Sequence, residues 1–358
     1  MDERRQPEEE RRAREHPPIP HPMPPEEMKV EDVRFFVVGH GRSGTTWLEQ
    51  TLNSHPAILC AGPGMLFGKN LTNFGGRRVL YELLANADGL ESWHEGLKDW
   101  RGGYSNPWTK SGEFDLDAAQ IARATIDALM RRALTESGKR ILGDRTPHHI
   151  SQLWEIHTLY PNAKIVHAVR DGRDVAVSNA VIHLASSKED WHTAKGKKVP
   201  TNLSTEEIEI RDAYFQDRTS FLASGRSLFT EEQIHRWARG WNRIVRRGRR
   251  TGRELFGESY FELKYEDHLH RPQTALKAMF GFLETDTSPE IIERTIEENT
   301  FKKLSEGRSS GEESSGAFFR KGISGDWKGV FNERDKKIFK EEAGELLVEL
   351  GYEKDLSW

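Results

Sequence analysis

The stretch FFVVGHGRSGTTWLEQTLNSHP, opening at Phe35, constrains this chain more than any other. A short apolar run ends in glycine, a glycine-rich turn follows, and a helical segment begins with two threonines. Strand, glycine-rich turn and helix in that order make a phosphate loop, because the turn lets backbone N–H groups face an anion at the helix N-terminus. Gly39 and Gly44 keep the G-x-x-x-x-G spacing of nucleotide-binding loops. Thr45, however, stands where those loops carry the lysine that touches the β- and γ-phosphates. Arg42 lies inside the loop instead. A phosphate-bearing ligand is the expected occupant, and a bare tight connection is the alternative for the loop taken alone.

Beyond the loop, VRFFVVGH, KRILGDRTP, AKIVHAVRDGRD and SYFELKYED read as strands. SGTTWLEQTLNSHP reads as a helix with Trp47, Leu48 and Leu52 on one face, and DLDAAQIARATIDALMRRALTESG as a helix ended by Gly138. Residues 60–112 read as irregular. Alternating strands and helices predict an α/β fold, a P-loop-like doubly wound, mostly parallel sheet flanked by helices. Ligands of such sheets bind beyond the carboxyl ends of the strands. Three charged groups fall there: Arg42, Asp144 with Arg145, and Arg170 with Asp171.

A net charge of −4 over 358 residues gives no global attraction to nucleic acid, so an anion must be held by a local cluster. The single cysteine, Cys60, excludes an intrachain disulfide framework. No apolar run reaches the length of a membrane span, and the first residues lack the apolar centre of a signal peptide, so a cytoplasmic protein is expected. Residues 1–28, charged and proline-rich, read as a disordered tail before one domain over 29–358. The arginine-rich RWARGWNRIVRRGRRTGREL reads as a helix with Trp237, Trp241, Ile244 and Val245 inward and arginines on a solvated face, not as a nucleic-acid site. The histidines show no metal-ligand spacing.

GRSGTTWL, VRDGRDVAVSN, KYEDHLHRP and RKGISGDWK, in that order, resemble motifs of the sulfotransferases that use 3′-phosphoadenosine 5′-phosphosulfate (PAPS). The likeness runs from about Val33 to Phe339. It is weakest over 60–140 and 183–230, which the resemblance assigns to the acceptor site. The resemblance implies the sulfotransferase fold and transfer of a sulfuryl group from PAPS to a hydroxyl or amine of a small-molecule or carbohydrate acceptor, without metal. It sets Gly41, Arg42, Ser43, Gly44, Thr45 and Thr46 around the 5′-phosphosulfate, with Trp47 and Tyr265 by the adenine. Arg170 and Ser178, joined by Arg320, Lys321 and Gly322, would hold the 3′-phosphate through charge-assisted bonds. Arg42 takes the place of a lysine in cytosolic members and of an arginine in carbohydrate and tyrosylprotein members. Its implied catalytic role is electrostatic, since a guanidinium does not release its proton at neutral pH.

The sequence departs from the family at the general base. Cytosolic members resemble K-T-H at the end of the second strand; here Arg145 holds the lysine's place and Pro147 the histidine's. Other members use a glutamate shortly after the first helix, where this chain has Pro63. Asp144, His148 and His149 are the nearest titratable groups, each with a bland alternative as a strand-end cap or helix-start residue. His148 is the expected base, because an imidazole of pKa about 6.5 suits proton abstraction near neutrality. Asp144 is expected to orient Arg145 or a histidine. The alternatives are a P-loop-type kinase, against which the missing lysine speaks, and a catalytically impaired PAPS-binding module, which the missing base motivates.

Overall fold

Phe35–Gly39 forms the central strand, β1, in a computed structural model that describes residues 34–64, 66, 118–186, 203–314 and 319–358. All of β1 is buried, and its side chains alternate between two apolar layers. Phe36 and Val38 pack with Leu142, Ile150 and Ile165 on one face. Phe35 and Val37 pack with Leu48, Leu52 and Val166 on the other. A strand buried on both faces needs helices on both sides, the condition for a doubly wound sheet.

The sheet adds β2 (Ile58–Ala61), β3 (Ile141–Arg145), β4 (Lys164–Val169) and β5 (Tyr260–Lys264) in the order β2-β3-β1-β4-β5. Every pairing is parallel. β2 corrects the reading of 60–112 as irregular from its first residue. Four residues at a sheet edge, with only Ile58 and Cys60 buried, are too few for alternation to stand out in the sequence. The rest of that segment, 67–117, lies outside the described residues, as do 187–202 and the tail over 1–28.

Helix α1 (Thr45–Ser54) leaves β1, α2 (Ala118–Ser137) and α3 (Leu153–Leu159) flank β3, and α4 (Gly172–Ser186) follows β4. Then come α5 (Thr205–Gln216), α6 (Arg218–Ala223), α7 (Glu231–Phe256), α8 (Tyr265–His270), α9 (Pro272–Phe282), α10 (Pro289–Glu298), α11 (Phe301–Leu304) and α12 (Glu333–Glu349). As expected, α2 ends at Gly138, whose φ of 67° is the left-handed stop that glycine supplies. The arginine-rich segment lies on α7, with Trp241 and Val245 in a core shared with α4 and α12. Most of its arginines are exposed; the buried exception, Arg249, pairs with Glu262 at 3.0 Å and Glu349 at 2.5 Å. Among the described residues no helix is long and apolar enough to cross a membrane.

The chain passes from β3 on one side of β1 to β4 on the other. The carboxyl end of β1 therefore opens at a switch in strand order, where a doubly wound sheet leaves a crevice.

Candidate functional site

The loop after β1 is shaped by close approach and by backbone handedness. At Gly39 a Cβ would lie 2.5 Å from the Ala168 carbonyl oxygen, so only glycine lets β1 and β4 end together. Arg42 (φ 71°) and Gly44 (φ 85°) both adopt left-handed backbone, a conformation that costs a non-glycine residue on the order of 1–3 kcal/mol. No side chain caps α1 at Gly44, and its first turn carries no acidic residue. The positive end of the helix therefore faces the crevice without a protein anion. Ser43 Oγ is buried with no hydrogen-bond partner among the described residues, which suits a group that awaits a ligand oxygen.

A cavity of about 350 Å³ opens at this helix end. Arg42, Gly44, Thr45, Thr46 and Trp47 line it from the loop and α1, Arg170 and Ser178 from the end of β4 and from α4. Tyr265 closes it from α8, and Arg320, Lys321 and Gly322 from the C-terminal loop. The structure thus brings together nearly all the residues assigned to the donor; Gly41 and Ser43 do not line the cavity.

Its cations are held in place by one another's surroundings. Arg42 Nε donates to Ser178 Oγ at 3.1 Å, and Arg170 donates to the carbonyls of Arg42 at 3.2 Å and Ile323 at 3.0 Å. The Arg170 guanidinium lies 4.3 Å from the centre of the Tyr265 ring. Burial first, and then the positive charges of Arg170 and Arg320, push Arg42 down to about 10. Like charges gathered this closely favour an anion between them. Asp326 accepts from Arg320 at 2.6 Å and from Lys321 at 2.5 Å. Burial pushes Asp326 up, but Arg320 and Lys321 outweigh it and hold the carboxyl below its usual range. Asp174 ties this loop to α4, accepting from the N–H groups of Gly325 at 2.7 Å and Trp327 at 3.0 Å.

Trp47 presents its indole to the cavity, with its N–H donating to the Asn299 carbonyl at 3.0 Å. One face stacks on His268, the rings 3.9 Å apart and 12° from parallel. Burial holds the His268 imidazole at about 3, so it stacks as a neutral ring. A ligand base therefore has at most the opposite face of Trp47 to use. His268, Thr51, Asn299 and Asp326 escaped the sequence reading. His268 and Asp326 lie within KYEDHLHRP and RKGISGDWK, where their motifs signal them; Asn299 has no local signal.

The residues at the end of β3 do not join the cavity lining. Arg145 is buried and committed to Glu49 of α1, with Nε 2.8 Å from Oε2. Asp144 is fully buried, accepts from the Gly64 N–H at 3.0 Å and lies 3.1 Å from His149 Nδ1. Asp144 therefore lies beside His149, while Arg145 is held by Glu49. His149 is fully buried as well. His148 is exposed on the 3₁₀ turn Pro147–Ser151. Its pKa is drawn below 6.5 by partial loss of hydration and by His149. Among the described residues no group of three His, Cys, Asp or Glu side chains comes together to hold a metal.

A family model described as "Sulfotransferase family" matches residues 34–214. The chain is 26% identical over 151 residues to a putative protein-tyrosine sulfotransferase of Caenorhabditis briggsae, covering 42% of this chain and 41% of that one. It is 30% identical over 145 residues to the nodulation protein NoeE of Sinorhizobium fredii, covering 40% of this chain and 30% of that one. An uncharacterized protein of Aquifex aeolicus is 29% identical over 145 residues, covering 40% of this chain and 16% of that one. The chain thus spans less than half the length of these relatives. Among solved structures, mouse sulfotransferase SULT7A1 complexed with PAP aligns over 88% of this chain and 82% of that one, at 16% identity and a TM-score of 0.42. The sulfotransferase domain from the curacin biosynthetic pathway aligns over 90% and 98%, at 15% identity and a TM-score of 0.45.

Proposed function

The chain belongs to the sulfotransferase family, and we propose that its cavity binds PAPS and that it transfers the sulfuryl group to a hydroxyl or amine of a small-molecule or carbohydrate acceptor. One observation carries this reading: Arg42, Arg170, Arg320 and Lys321 converge on one cavity at the uncapped N-terminus of α1, where Thr45 replaces a triphosphate-binding lysine. PAPS is a polyanion without a third phosphate on its 5′ chain, so it asks for cations and helix N–H groups but not for that lysine. When bound, it supplies the sulfuryl group.

The chain's own residues then have distinct work. Gly41 to Thr46 receive the 5′-phosphosulfate, with Ser43 Oγ gaining the partner it lacks. Arg170, Ser178, Arg320, Lys321 and Gly322 hold the 3′-phosphate, and Trp47 and Tyr265 flank the adenine. Arg42 stabilises charge that grows on the departing phosphate oxygen, as fixed cations do in phosphoryl transfer. The segments 60–140 and 183–230 would shape the acceptor site.

The test uses the desulfated product, 3′-phosphoadenosine 5′-phosphate (PAP), with a chelator present. A ligand bound by the native state alone stabilises it by about 2.7 kcal/mol at a hundredfold excess over Kd. A clear rise in melting temperature is expected, and Arg170→Ala and Lys321→Ala should each diminish it. No rise at millimolar PAP would end the proposal.

A further inference from the structure

We propose that Arg218, at the start of α6, is a positioning residue that sets how strongly the cavity prefers a ligand with a 3′-phosphate; the inference rests on the donor reading above. Arg218 does not line the cavity, so it acts through Arg320, which does. It lies within 183–230, the stretch that the resemblance gives to the acceptor. Its ion pairs nevertheless run to the two carboxylates that hold Arg320 and Lys321.

Five charged side chains form one connected network. Arg218 Nη1 pairs with Glu313 Oε2, and its Nη2 lies 3.7 Å from Asp326 Oδ1. The same carboxylates accept from Arg320, Glu313 Oε1 at 2.9 Å and Asp326 Oδ2 at 2.6 Å. Lys321 Nζ donates to Asp326 Oδ1 at 2.5 Å. The Tyr214 hydroxyl of α5 adds a contact at 3.5 Å to Glu313 Oε1. Arg320 and Asp326 are buried and the other three charges partly so, which limits their screening by salt.

Two consequences follow for a phosphate that reaches Arg320. Arg218 and Lys321 take the second oxygen of Glu313 and of Asp326, so neither carboxylate clasps Arg320 with both oxygens. A two-pronged clasp is the stronger pairing, and it would commit the guanidinium to the protein. The count of charges acts in the same direction. Glu313 and Asp326 would match Arg320 and Lys321 one for one, leaving no net charge at the cavity wall. Arg218 is a third cation on the same carboxylates, so the five groups carry a net charge of +1. In a partly buried network that charge attracts an anion far more than it would in water.

Adenosine 5′-monophosphate (AMP) and PAP differ only in the 3′-phosphate, so the ratio of their dissociation constants isolates its contribution. Calorimetric titration of both at one ionic strength measures that ratio. In Arg218→Gln the preference for PAP should fall about tenfold, with AMP affinity within about twofold of wild type. Arg218→Lys keeps the charge and should recover most of the preference. Glu313→Gln added to Arg218→Gln returns the network to +1 and should restore it too. An unchanged ratio in Arg218→Gln, or equal weakening of both ligands, overturns the proposal. If Arg218→Gln does not fold, Glu313→Gln alone decides. It raises the network to +2 and should strengthen the preference about tenfold; a ratio that stays or falls overturns the proposal. Wild-type protein that binds neither ligand, or both alike, would strike the donor reading itself and this inference with it.

Discussion

Gly44 meets two demands at once. Its φ is 85°, and a Cβ there would lie 2.6 Å from Tyr265 Cδ2. Gly44→Ala should therefore cost about 1–3 kcal/mol from backbone strain alone. It should also push Tyr265 away from the Arg170 guanidinium that now lies over its ring. Urea unfolding followed by circular dichroism would measure the loss, and an unchanged midpoint would mean that the loop relaxes freely. The loop residues were legible in the sequence because each acts within a few positions of a diagnostic glycine. Asn299 was not legible, since it lies 252 positions from Trp47 and meets it only once the chain folds back. The commitment of Arg145 to Glu49 was hidden for the same reason: nothing local pairs an α1 carboxylate with a strand-end arginine.

Longer elements carried clearer signals. β1, β3, β4 and β5 were readable as apolar runs that end in a charged or glycine-rich turn, while β2, four residues at the edge, was not. Helix α7 starts with a capping box in which Thr230 and Gln233 each accept from the other's backbone N–H. Thr230→Ala should lower stability by about 1 kcal/mol without changing PAP binding, as a thermal melt with and without PAP would reveal. Asp174 has the opposite profile. It joins the start of α4 to the C-terminal loop through two backbone N–H groups. Asp174→Ala should cost about 1–3 kcal/mol for each buried donor left unpaired. It should also weaken PAP binding, because the loop it anchors carries Arg320 and Lys321. Calorimetric titration would register that loss; unaltered affinity with lowered stability would separate the anchor from the site.

For the molecule as a whole, acid acts through histidines folded in their neutral form. His167 is fully buried, with Nδ1 2.5 Å from the Tyr260 hydroxyl, and burial lowers it from 6.5 to about 4. A depressed histidine pKa means that the unfolded chain binds a proton the folded chain refuses. Its contribution is intact above pH 6.5 and declines as pH falls toward 4. Buried carboxylates with raised pKa, such as Asp335, work in the other direction, so the clean readout is a difference. The stability advantage of wild type over His167→Gln should shrink by at most about 1.4 kcal/mol per pH unit across that window. A constant difference from pH 7 to 4.5 would contradict the assignment. The α/β class and parallel winding were legible at this scale because they follow from element order. The β3-end chemistry was not, because it depends on which charges meet in the folded interior. The chain's one thiol has a practical consequence. Cys60 is buried in β2, and burial, then Glu49 and Asp144, raise its pKa well above the usual value, leaving it a poor nucleophile. Maleimide dyes should thus find no target on the native fold, and Glu312→Cys, at an exposed position near the cavity, would carry a single fluorophore for watching ligands arrive in real time.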